Sequence, residues 1–330
     1  MDTFSPHRGS QRLPAEGASV DIIIVNWNAG EQLHDCVTSV HEYGSGSVDR
    51  VIVVDNNSTD GSADAIEGLP GVEVVRAGKN LGFAAACNLG ATKAGALYIL
   101  FLNPDTLVGE NSFSVPLAFM ERAENSHVGI CGIQLFDEKG QISQTCARFP
   151  ILGRFVSQAL GLNKIPGLTR TGIHMSDWDH RHTSEVDHVI GAFFMIRRSL
   201  FYALGGFDER FFVYLEDIDL SFRARLLGYK SFYLSDAQAF HAGGGTSSQV
   251  KDVRLFYSLR SRLLYGFKHF PSWQAWMLAG VTMLVEPFSR ILYCAASRDW
   301  PGVKHTLQGY RFLWRNAPHI IACNKPRSAL

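Results

Sequence analysis

The sequence lacks several features that each define a familiar class of protein. Its six cysteines form no C-x-x-C pair, which argues against a zinc knuckle or a disulfide framework and favours a reducing compartment. Basic and acidic residues both number 31, so the charge balance gives no reason to expect a nucleic-acid partner. Residues 1–19 contain no apolar segment of the kind that a signal peptide requires, and they are expected to form a disordered lead-in.

Long apolar runs are also missing. The most apolar stretch covers residues 275–285, and Glu286 and Pro287 end it well short of the ~20 apolar residues of a membrane span. This stretch is predicted to be a buried helix, with a helix lying on a membrane surface as the alternative. The expected location is the cytoplasm, either free or peripheral on the cytoplasmic face of the inner membrane.

Two absent motifs narrow the chemistry. A nicotinamide dehydrogenase would place G-x-G-x-x-G directly after its first strand. A sugar-phosphate nucleotidyltransferase would place a loop rich in Gly, Lys and Arg at the same point. Residues 26–31 read N-W-N-A-G-E instead, so neither of these enzymes is indicated.

What the sequence does contain is an alternation of apolar strands with helices. Runs rich in Val and Ile predict strands at residues 20–28, 50–55, 72–77, 96–103 and 128–136. Helical patterns cover residues 30–43 and 80–95. The alternation predicts right-handed β-α-β units, and therefore an α/β fold whose mostly parallel central sheet has helices on both faces.

The same pattern divides the rest of the chain. It is lost over residues 149–185, which are expected to form a mobile loop or lid, and it returns with a helix over about 215–227. Beyond residue 248 the segments 250–268, 272–297 and 301–316 are helical in pattern, basic and aromatic. We therefore expect an α/β domain at 20–248 followed by a C-terminal helical region at 249–330.

Polar residues follow the predicted strands where a ligand is expected. Open parallel sheets bind ligands outside the carboxyl ends of their strands. Six polar residues fall at that rim: Asn28, Asp55, Asn57, Asn80, Asn103 and Asp105. Asp55 could accept a hydrogen bond from a ribose hydroxyl or a base N–H, or it could cap a turn. Asp105, in L-N-P-D-T, could be a hard oxygen ligand for Mg²⁺ or Mn²⁺, or only a turn residue.

A second acidic group lies in L-E-D-I-D-L-S-F-R, at the start of a predicted helix. Asp219 and Arg223 are four residues apart and can pair on one face, which explains Asp219 structurally. Asp217 faces another direction and lacks that partner, so it is the acid available to act as a general base. His241, before three glycines, is either structural or a metal ligand.

Together these pieces resemble the family 2 inverting glycosyltransferases of the GT-A fold, and most closely their bacterial rhamnosyltransferase-like branch. The resemblance rests on I-I-I-V-N-W-N, V-I-V-V-D-N-N-S-T-D-G-S, K-N-L-G-F-A-A-A-C-N-L-G, F-L-N-P-D-T, G-A-F-F-M-I-R-R with Y-L-E-D, and F-H-A-G-G-G-T-S. These stretches occur in the order of the family across residues 20–247. The C-terminal helices are less diagnostic.

The resemblance implies a role for each matching position. Asp217 would be the catalytic base, and Asp105 and His241 would hold Mg²⁺ or Mn²⁺ on the donor diphosphate. Asn103 stands where the family has the first acid of its metal motif, and an amide is a weaker ligand. The remaining donor-binding positions would be Asn28, Asp55, Asn57, Asn80, Gly82, Asn103, Gly191, Ala192 and Glu216.

The implied reaction moves a sugar, first of all L-rhamnose from dTDP-rhamnose, to a saccharide or polyprenyl-linked acceptor by a single displacement. Such a reaction needs no protein nucleophile, in keeping with the lack of an obvious Ser-His-Asp or reactive-cysteine arrangement. The alternative is a catalytically inactive sugar-nucleotide-binding or scaffold protein of polysaccharide assembly. Contact of the basic, aromatic C-terminal helices with a membrane, and a homo-oligomeric state, stay open at this point.

Overall fold

The computed structural model of the protein describes residues 18–243 and 251–322. The predicted disordered lead-in lies outside the described residues, apart from Ala18 and Ser19, and so does the predicted boundary at residue 248. Ala18 is already buried in the core, and the first strand begins at Val20.

Eleven strands are seen in this part of the chain. They are β1 (Val20–Asn26), β2 (Val48–Asp55), β3 (Val72–Arg76), β4 (Tyr98–Leu102), β5 (Thr106–Val108), β6 (Val128–Phe136), β7 (Cys146–Ala147), β8 (Ser184–Val186), β9 (His188–Val189), β10 (Phe193–Arg197) and β11 (Lys230–His241). The main sheet has the order β3-β2-β1-β4-β10-β6-β11-β5, with β8 on β11, and β7 pairs with β9 in a small second sheet. Strands β10, β5 and β8 pair antiparallel to their neighbours, so the sheet is mixed and mostly parallel, as predicted.

Ten α-helices accompany these strands in the described residues. They are α1 (Glu31–Tyr43), α2 (Phe83–Ala91), α3 (Ser114–Met120), α4 (Leu152–Ala159), α5 (Arg198–Ala203), α6 (Glu216–Leu226), α7 (Lys251–His269), α8 (Ser272–Gly280), α9 (Glu286–Ala296) and α10 (Trp300–Ala322). A π-helical turn, Val281–Val285, joins α8 to α9 and makes one continuous helix of them. The predicted succession of strands and helices is therefore confirmed.

The sheet is buried on both faces. All seven residues of β1 are buried, and their side chains alternate between two separate apolar clusters. Helix α1 covers one face through its buried residues Leu33, Val37 and Val40. Because both faces are covered, ligands can approach the sheet only at the ends of its strands.

The helix predicted at residues 80–95 is shorter than expected. Helix α2 covers Phe83–Ala91 and thus begins three residues later than residue 80. Gly82 has a positive φ of 83°, and a Cβ there would lie 2.4 Å from the Phe212 carbonyl oxygen. The chain therefore turns at Gly82 before the helix can start.

The segment 149–185 contains more regular structure than the sequence suggested. Helix α4 buries Phe155 in a third apolar cluster, shared with α7, α8 and α10. Arg148 donates to both carboxylate oxygens of Asp177, at 2.8 and 2.9 Å, which closes the segment on itself. Whether it moves as a lid stays a prediction.

The prediction of a buried helix at residues 275–285 was wrong. The helix Ser272–Ala296 is long and apolar enough to cross a membrane: an 18-residue window of it has a mean hydropathy of 1.2, and only 28% of that window is buried. Ala275, Leu278 and Thr282 face the protein, while Trp276 and Leu284 are exposed. The sequence pattern missed this arrangement because the exposed face is as apolar as the buried one.

Candidate active site

A cavity of about 650 Å³ lies at the carboxyl rim of the sheet. Nine of the predicted site residues line it: Asn80, Gly82, Asn103, Asp105, Gly191, Ala192, Glu216, Asp217 and His241. They run from the turn before α2 to the end of β11, so tertiary structure assembles them from segments more than 150 residues apart. The volume is within the range of sites for small-molecule ligands and cofactors.

Asp105 and His241 meet on one wall of this cavity. Strand β11 pairs with β5 in the register His241 to Thr106, which places the histidine beside the turn that carries the acid. His241 Nε2 lies 3.2 Å from Asp105 Oδ1 and 3.4 Å from Asn103 Nδ2. The side chains of Asp105 and His241 are 9% and 13% exposed, so both reach the cavity surface.

These residues fit a divalent cation completed by a substrate. Within residues 18–243 and 251–322, no group of three His, Cys, Asp or Glu side chains could hold a metal by itself. A carboxylate and an imidazole do converge, however, and Mg²⁺ is usually bound by one or two carboxylates together with substrate phosphates. Asn103 offers a neutral amide at the same place. The wall is therefore suited to an ion that arrives with a diphosphate.

Asp217 stands at the amino-terminal end of α6 and lines the same cavity. Its Oδ2 accepts the Gly191 N–H at 3.1 Å and lies 3.3 Å from His188 Nε2, while its Oδ1 accepts the Ile218 N–H at 2.8 Å. Burial alone would raise the pKa of Asp217. The His188 imidazole and the two N–H donors outweigh burial and hold that pKa below its ordinary value.

The pKa of Glu216, the residue before Asp217, is shifted in the opposite direction. It is buried, and its Oε2 has no hydrogen-bond partner among the described residues. Burial, and then the charge of Asp217, raise the pKa of Glu216 well above its ordinary value. Two adjacent carboxyl groups with pKa values pushed apart are suited to different roles, with Asp217 charged and Glu216 neutral.

Asp219, two residues after Asp217, has a structural role, as predicted. It is fully buried and pairs with Arg223 at 2.8 Å. It also contacts Lys268 and His269 of α7, at 2.6 and 2.7 Å. Asp219 thus joins the sheet domain to the C-terminal helices and is turned away from both cavities.

A second cavity, of about 270 Å³, opens on the far side of Asp217. It shares Ile190, Tyr214, Glu216 and Asp217 with the first cavity. Its other walls come from segments 144–190 and 215–218 and from α7: Gln144, Thr145, Ala147, Phe155, Gln158, Ile173, His174, His188, Leu215, Ile218, Ser258 and Arg262. The base candidate therefore lies between two chambers.

Three predicted donor residues do not line either cavity. Asn28 accepts the Thr59 N–H at 2.7 Å. Asp55 accepts the Ser58 N–H at 3.2 Å and lies 3.8 Å from the Arg76 guanidinium. Asn57 is exposed, with a positive φ of 69°. As the structure stands, these three side chains shape the turns behind the rim, and their contact with a nucleotide stays a prediction.

Asn56 is the side chain of that turn that does reach the cavity. It is buried, its Nδ2 lies 3.1 Å from Asn80 Oδ1, and its Oδ1 accepts the Leu81 N–H at 2.7 Å. It therefore links the turn after β2 to the glycine turn before α2. No feature of N-N-S in the sequence distinguishes Asn56 from Asn57, because a turn can direct either side chain inward.

The sequence also missed the contribution of the C-terminal region. Helix α7 lines the large cavity with Val253, Arg254 and Tyr257, and Tyr257 stacks on Phe212 with ring centroids 4.5 Å apart. Trp27, after β1, is a further aromatic side chain in the lining. The basic and aromatic composition of residues 250–268 was the available signal.

Comparisons with known proteins identify relatives of this chain. The family model described as glycosyl transferase family 2 matches residues 21–205. The N-acetylglucosaminyl-diphospho-decaprenol L-rhamnosyltransferase of Mycobacterium tuberculosis is 26% identical over 275 residues, which cover 78% of this chain and 89% of that protein. Rhamnosyltransferase WbbL of Escherichia coli is 34% identical over 148 residues, covering 44% of this chain and 51% of that protein.

Solved structures show the same fold. Mannosyltransferase PcManGT from Pyrobaculum calidifontis, in complex with GDP-Man and Mn²⁺, superposes with a TM-score of 0.54 at 16% identity, covering 94% of this chain and 87% of that chain. GalNAc-T7 with UDP, GalNAc and Mn²⁺ gives a TM-score of 0.50 at 17% identity, covering 76% of this chain and 51% of that chain. The predicted GT-A fold is thereby confirmed.

Proposed function

Because the chain belongs to glycosyltransferase family 2 and is therefore a glycosyltransferase, we propose that it moves a sugar from a nucleoside diphosphate to a lipid-linked glycan with inversion at the anomeric carbon. The observation that carries this proposal is the placement of Asp217. This carboxylate lines both the large cavity and the smaller one, and the large cavity also contains the Asp105–His241 pair. In this arrangement the departing diphosphate can occupy the large cavity while the acceptor hydroxyl approaches Asp217 from the smaller one.

The mechanism follows from this geometry. The donor occupies the large cavity with its diphosphate toward Asp105 and His241, and the acceptor enters from the smaller cavity. Asp217 takes the proton of the acceptor hydroxyl while that oxygen bonds to the anomeric carbon and the bond to the diphosphate breaks. A divalent cation, where bound, would neutralise charge on the departing diphosphate. Glu216 stays protonated and can donate a hydrogen bond to a substrate oxygen.

The relatives suggest the substrates. The mycobacterial relative is a rhamnosyltransferase whose name specifies an N-acetylglucosaminyl-diphospho-decaprenol acceptor, and WbbL is also a rhamnosyltransferase. We therefore propose dTDP-rhamnose as the donor and a polyprenyl-diphosphate-linked saccharide as the acceptor. We place the reaction on the cytoplasmic side of the inner membrane.

The proposed function is tested with purified full-length protein, a panel of nucleotide sugars that includes dTDP-rhamnose, Mn²⁺ or Mg²⁺, and a short-chain polyprenyl-diphosphate N-acetylglucosamine. Wild-type protein should produce a disaccharide, and Asp217→Asn should reduce turnover by about 10²–10⁴-fold, the contribution of a general base. Equal turnover in the two proteins would contradict the assignment of Asp217. Nucleotide-sugar binding without turnover by wild-type protein would favour an inactive binding or scaffold protein.

We further propose that the C-terminal helices rest on an anionic membrane surface. Residues 251–322 contain ten Lys and Arg against three Asp and Glu, in a chain whose total charge is zero. The exposed face of Ser272–Ala296 is apolar, with Phe288 and Leu292 more than 70% exposed. The charged residues of that helix, Glu286 and Arg290, pair with each other at 2.8 Å.

Helix α10 adds a matching stripe. Trp300, Lys304, Leu307, Arg311 and Trp314 recur at steps of three or four residues, are all exposed, and have no acidic residue on the same helix. Alternating basic and aromatic side chains suit the interface between headgroups and acyl chains. Because the other face of Ser272–Ala296 packs on α4, α7 and α10, the helix is expected to lie along the membrane and not across it.

Vesicle sedimentation tests this contact. Wild-type protein should sediment with vesicles of phosphatidylcholine and phosphatidylglycerol and less with phosphatidylcholine alone. The double variant Phe288→Asn/Leu292→Asn should lose binding, whereas Leu226→Asn, an equally exposed leucine on α6, should retain it. Equal losses in both variants, or no sedimentation of wild-type protein, would overturn the proposal.

A further inference from the structure

A buried histidine contacts the carboxylate of Asp217 from behind. His188, in β9, is 3% exposed, and its Nε2 lies 3.3 Å from Asp217 Oδ2. On the other side of the ring, Nδ1 lies 2.9 Å from the hydroxyl oxygen of Ser221, one turn further along α6. Two residues of helix α6 thus contact the imidazole, with the Asp217 carboxylate at Nε2 and the Ser221 hydroxyl at Nδ1.

The partners decide where the ring proton sits. A carboxylate only accepts hydrogen bonds, so the nitrogen that faces Asp217 must carry a proton for a favourable contact. Ser221 can either donate or accept, so it can serve Nδ1 in both protonation states of the ring. His188 is therefore an Nε2–H donor to Asp217 whether the imidazole is neutral or charged.

The contact distinguishes between two adjacent carboxyl groups. His188 touches Asp217, whereas Glu216 Oε2 has no hydrogen-bond partner in the described part of the chain. Backbone donors also favour the negative charge on Asp217, because the N–H groups of Gly191 and Ile218 donate to its carboxylate. Without the histidine, two carboxyl groups in one buried site would compete for a single negative charge.

We propose that His188, held by Ser221, is a positioning residue that keeps the negative charge of the Glu216–Asp217 pair on Asp217 and aims its Oδ1 at the acceptor hydroxyl. Oδ2 is engaged by both His188 and Gly191, whereas Oδ1 accepts only the Ile218 N–H, so Oδ1 is the oxygen with a lone pair left for the acceptor proton. This inference rests on the proposed function, in which Asp217 is the base.

Other titratable or charged groups surround the pair. His174 and Arg262 line the smaller cavity with His188, and burial, then His188, lower the pKa of His174. Cys87 lies behind Glu216, and burial raises its pKa well above the ordinary value. Asp105 and His241 line the large cavity together with Asp217, and Asp219 lies on α6 itself. Arg262 is paired with Glu286, and of these side chains it is His188 that contacts Asp217.

The contact with His188 determines in which direction the pKa of Asp217 moves when the histidine is removed. Since His188 lowers the pKa of Asp217, its removal raises that pKa, and the base becomes ionised only at higher pH. The acidic limb of kcat/KM for the acceptor should therefore move to higher pH. Binding of the donor diphosphate, which the proposed function assigns to Asp105 and His241, should be affected less, because these two residues contact each other and His188 contacts Asp217.

Three variants test the proposal. His188→Phe keeps a ring against Phe194, whose centroid is 6.2 Å away, but removes the donor. It should lower kcat about 10-fold or more, part of the 10²–10⁴ contributed by a general base, shift the acidic limb upward, and leave the donor KM within about twofold. His188→Gln, whose amide can still donate, should recover part of both losses. Ser221→Ala should show a smaller shift in the same direction.

An unmoved acidic limb in His188→Phe would overturn the proposal, and so would equal profiles for His188→Phe and His188→Gln. If His188→Phe fails to fold in thermal unfolding, His188→Gln and Ser221→Ala still decide the question. A second readout does not depend on turnover: ¹⁵N NMR of histidine-labelled protein should show a proton on Nε2 of His188. The opposite tautomer would overturn the inference even in an active enzyme, whereas wild-type protein inactive with every donor would refute only the proposed function.

Discussion

The rim of the sheet and the outer face of the C-terminal helices depart from the usual distribution of residues in opposite directions. The rim buries polar groups, including Glu216, whose Oε2 lacks a partner in the described residues. The helices expose large apolar side chains, such as Phe288 at 74% and Leu292 at 72%. Each departure costs stability unless something outside the chain compensates it. The rim therefore indicates a polar ligand, and the helices indicate an apolar surface.

The two regions are nevertheless one structure. Asp219 of α6 meets Lys268 and His269 of α7, and α7 in turn lines both cavities. Breaking this junction should thus have the largest effect on the molecule. We expect Asp219→Asn to lower the free energy of unfolding by about 3–5 kcal/mol, as when one partner of a buried ion pair is removed, and urea unfolding measures the change.

The matched control is Asp217→Asn, two residues earlier on the same helix. It should lower the free energy of unfolding less than Asp219→Asn does, because Asp217 faces a cavity and contacts one histidine, whereas Asp219 is fully buried against Arg223, Lys268 and His269. Asp219→Asn should lose activity only as far as it unfolds. If the two variants were equally destabilised, the division between a structural and a catalytic acid would be wrong.

The metal wall of the rim should show the next largest effect. We expect Asp105→Asn to reduce sugar transfer about 100-fold or more, because charge on the departing diphosphate loses its counter-ion, worth several kcal/mol. A chelator should affect wild-type enzyme in the same way, and added Mn²⁺ should restore it. Asp236→Asn, an exposed acid on β11, is the control. Full activity in the presence of the chelator would refute the roles of Asp105 and His241.

Acid should weaken the junction between the two regions. Burial alone would raise the pKa of Asp219, but His269, Arg223 and Lys268 hold it below the ordinary value. Its stabilising contribution is therefore complete above about pH 4, the unfolded value, and is lost as the pH falls through the folded pKa. The difference in Tm between wild type and Asp219→Asn should shrink below pH 4. A difference that stays constant down to pH 2 would contradict this assignment.

The smallest effect is expected at Asn103. Asn103→Asp would add a second carboxylate beside Asp105 and His241, and affinity for hard cations rises with ligand charge. Mn²⁺ titration with a nucleoside diphosphate present should show binding tighter by a few-fold. Asn57→Asp, at the rim but outside the cavity lining, should change it less. Weaker binding by Asn103→Asp would mean that the new carboxylate pairs with His241 instead of the ion.

The sequence predicted those parts of the molecule that local pattern encodes. Periodicity located the strands that end at Asn26, Asp55 and Leu102, because a strand buried on both faces must be a continuous apolar run. It failed over residues 149–185, where α4 is short and surrounded by turns, so no periodic signal is long enough to detect.

For the candidate site, the spacing of Asp217, Asp219 and Arg223 correctly predicted which acid is paired, because residues four apart on a helix must be neighbours. His188 received no role, because its contacts with Asp217 and Ser221 join residues 29 and 33 positions away along the chain, and no local pattern records them. Arg254 and Tyr257 were assigned to an appended region for the same reason.

The sequence by itself thus determined the order of elements, the rim at which polar side chains gather, and the family. Tertiary structure alone decided which of those side chains reach the cavity: Asn56 and not Asn57, with α7 as a wall and His188 behind the base. It also decided that the helix Ser272–Ala296 has an exposed face. The physical reason is that apolar periodicity reports which residues avoid water, whereas only packing determines which neighbour, ligand or membrane excludes that water.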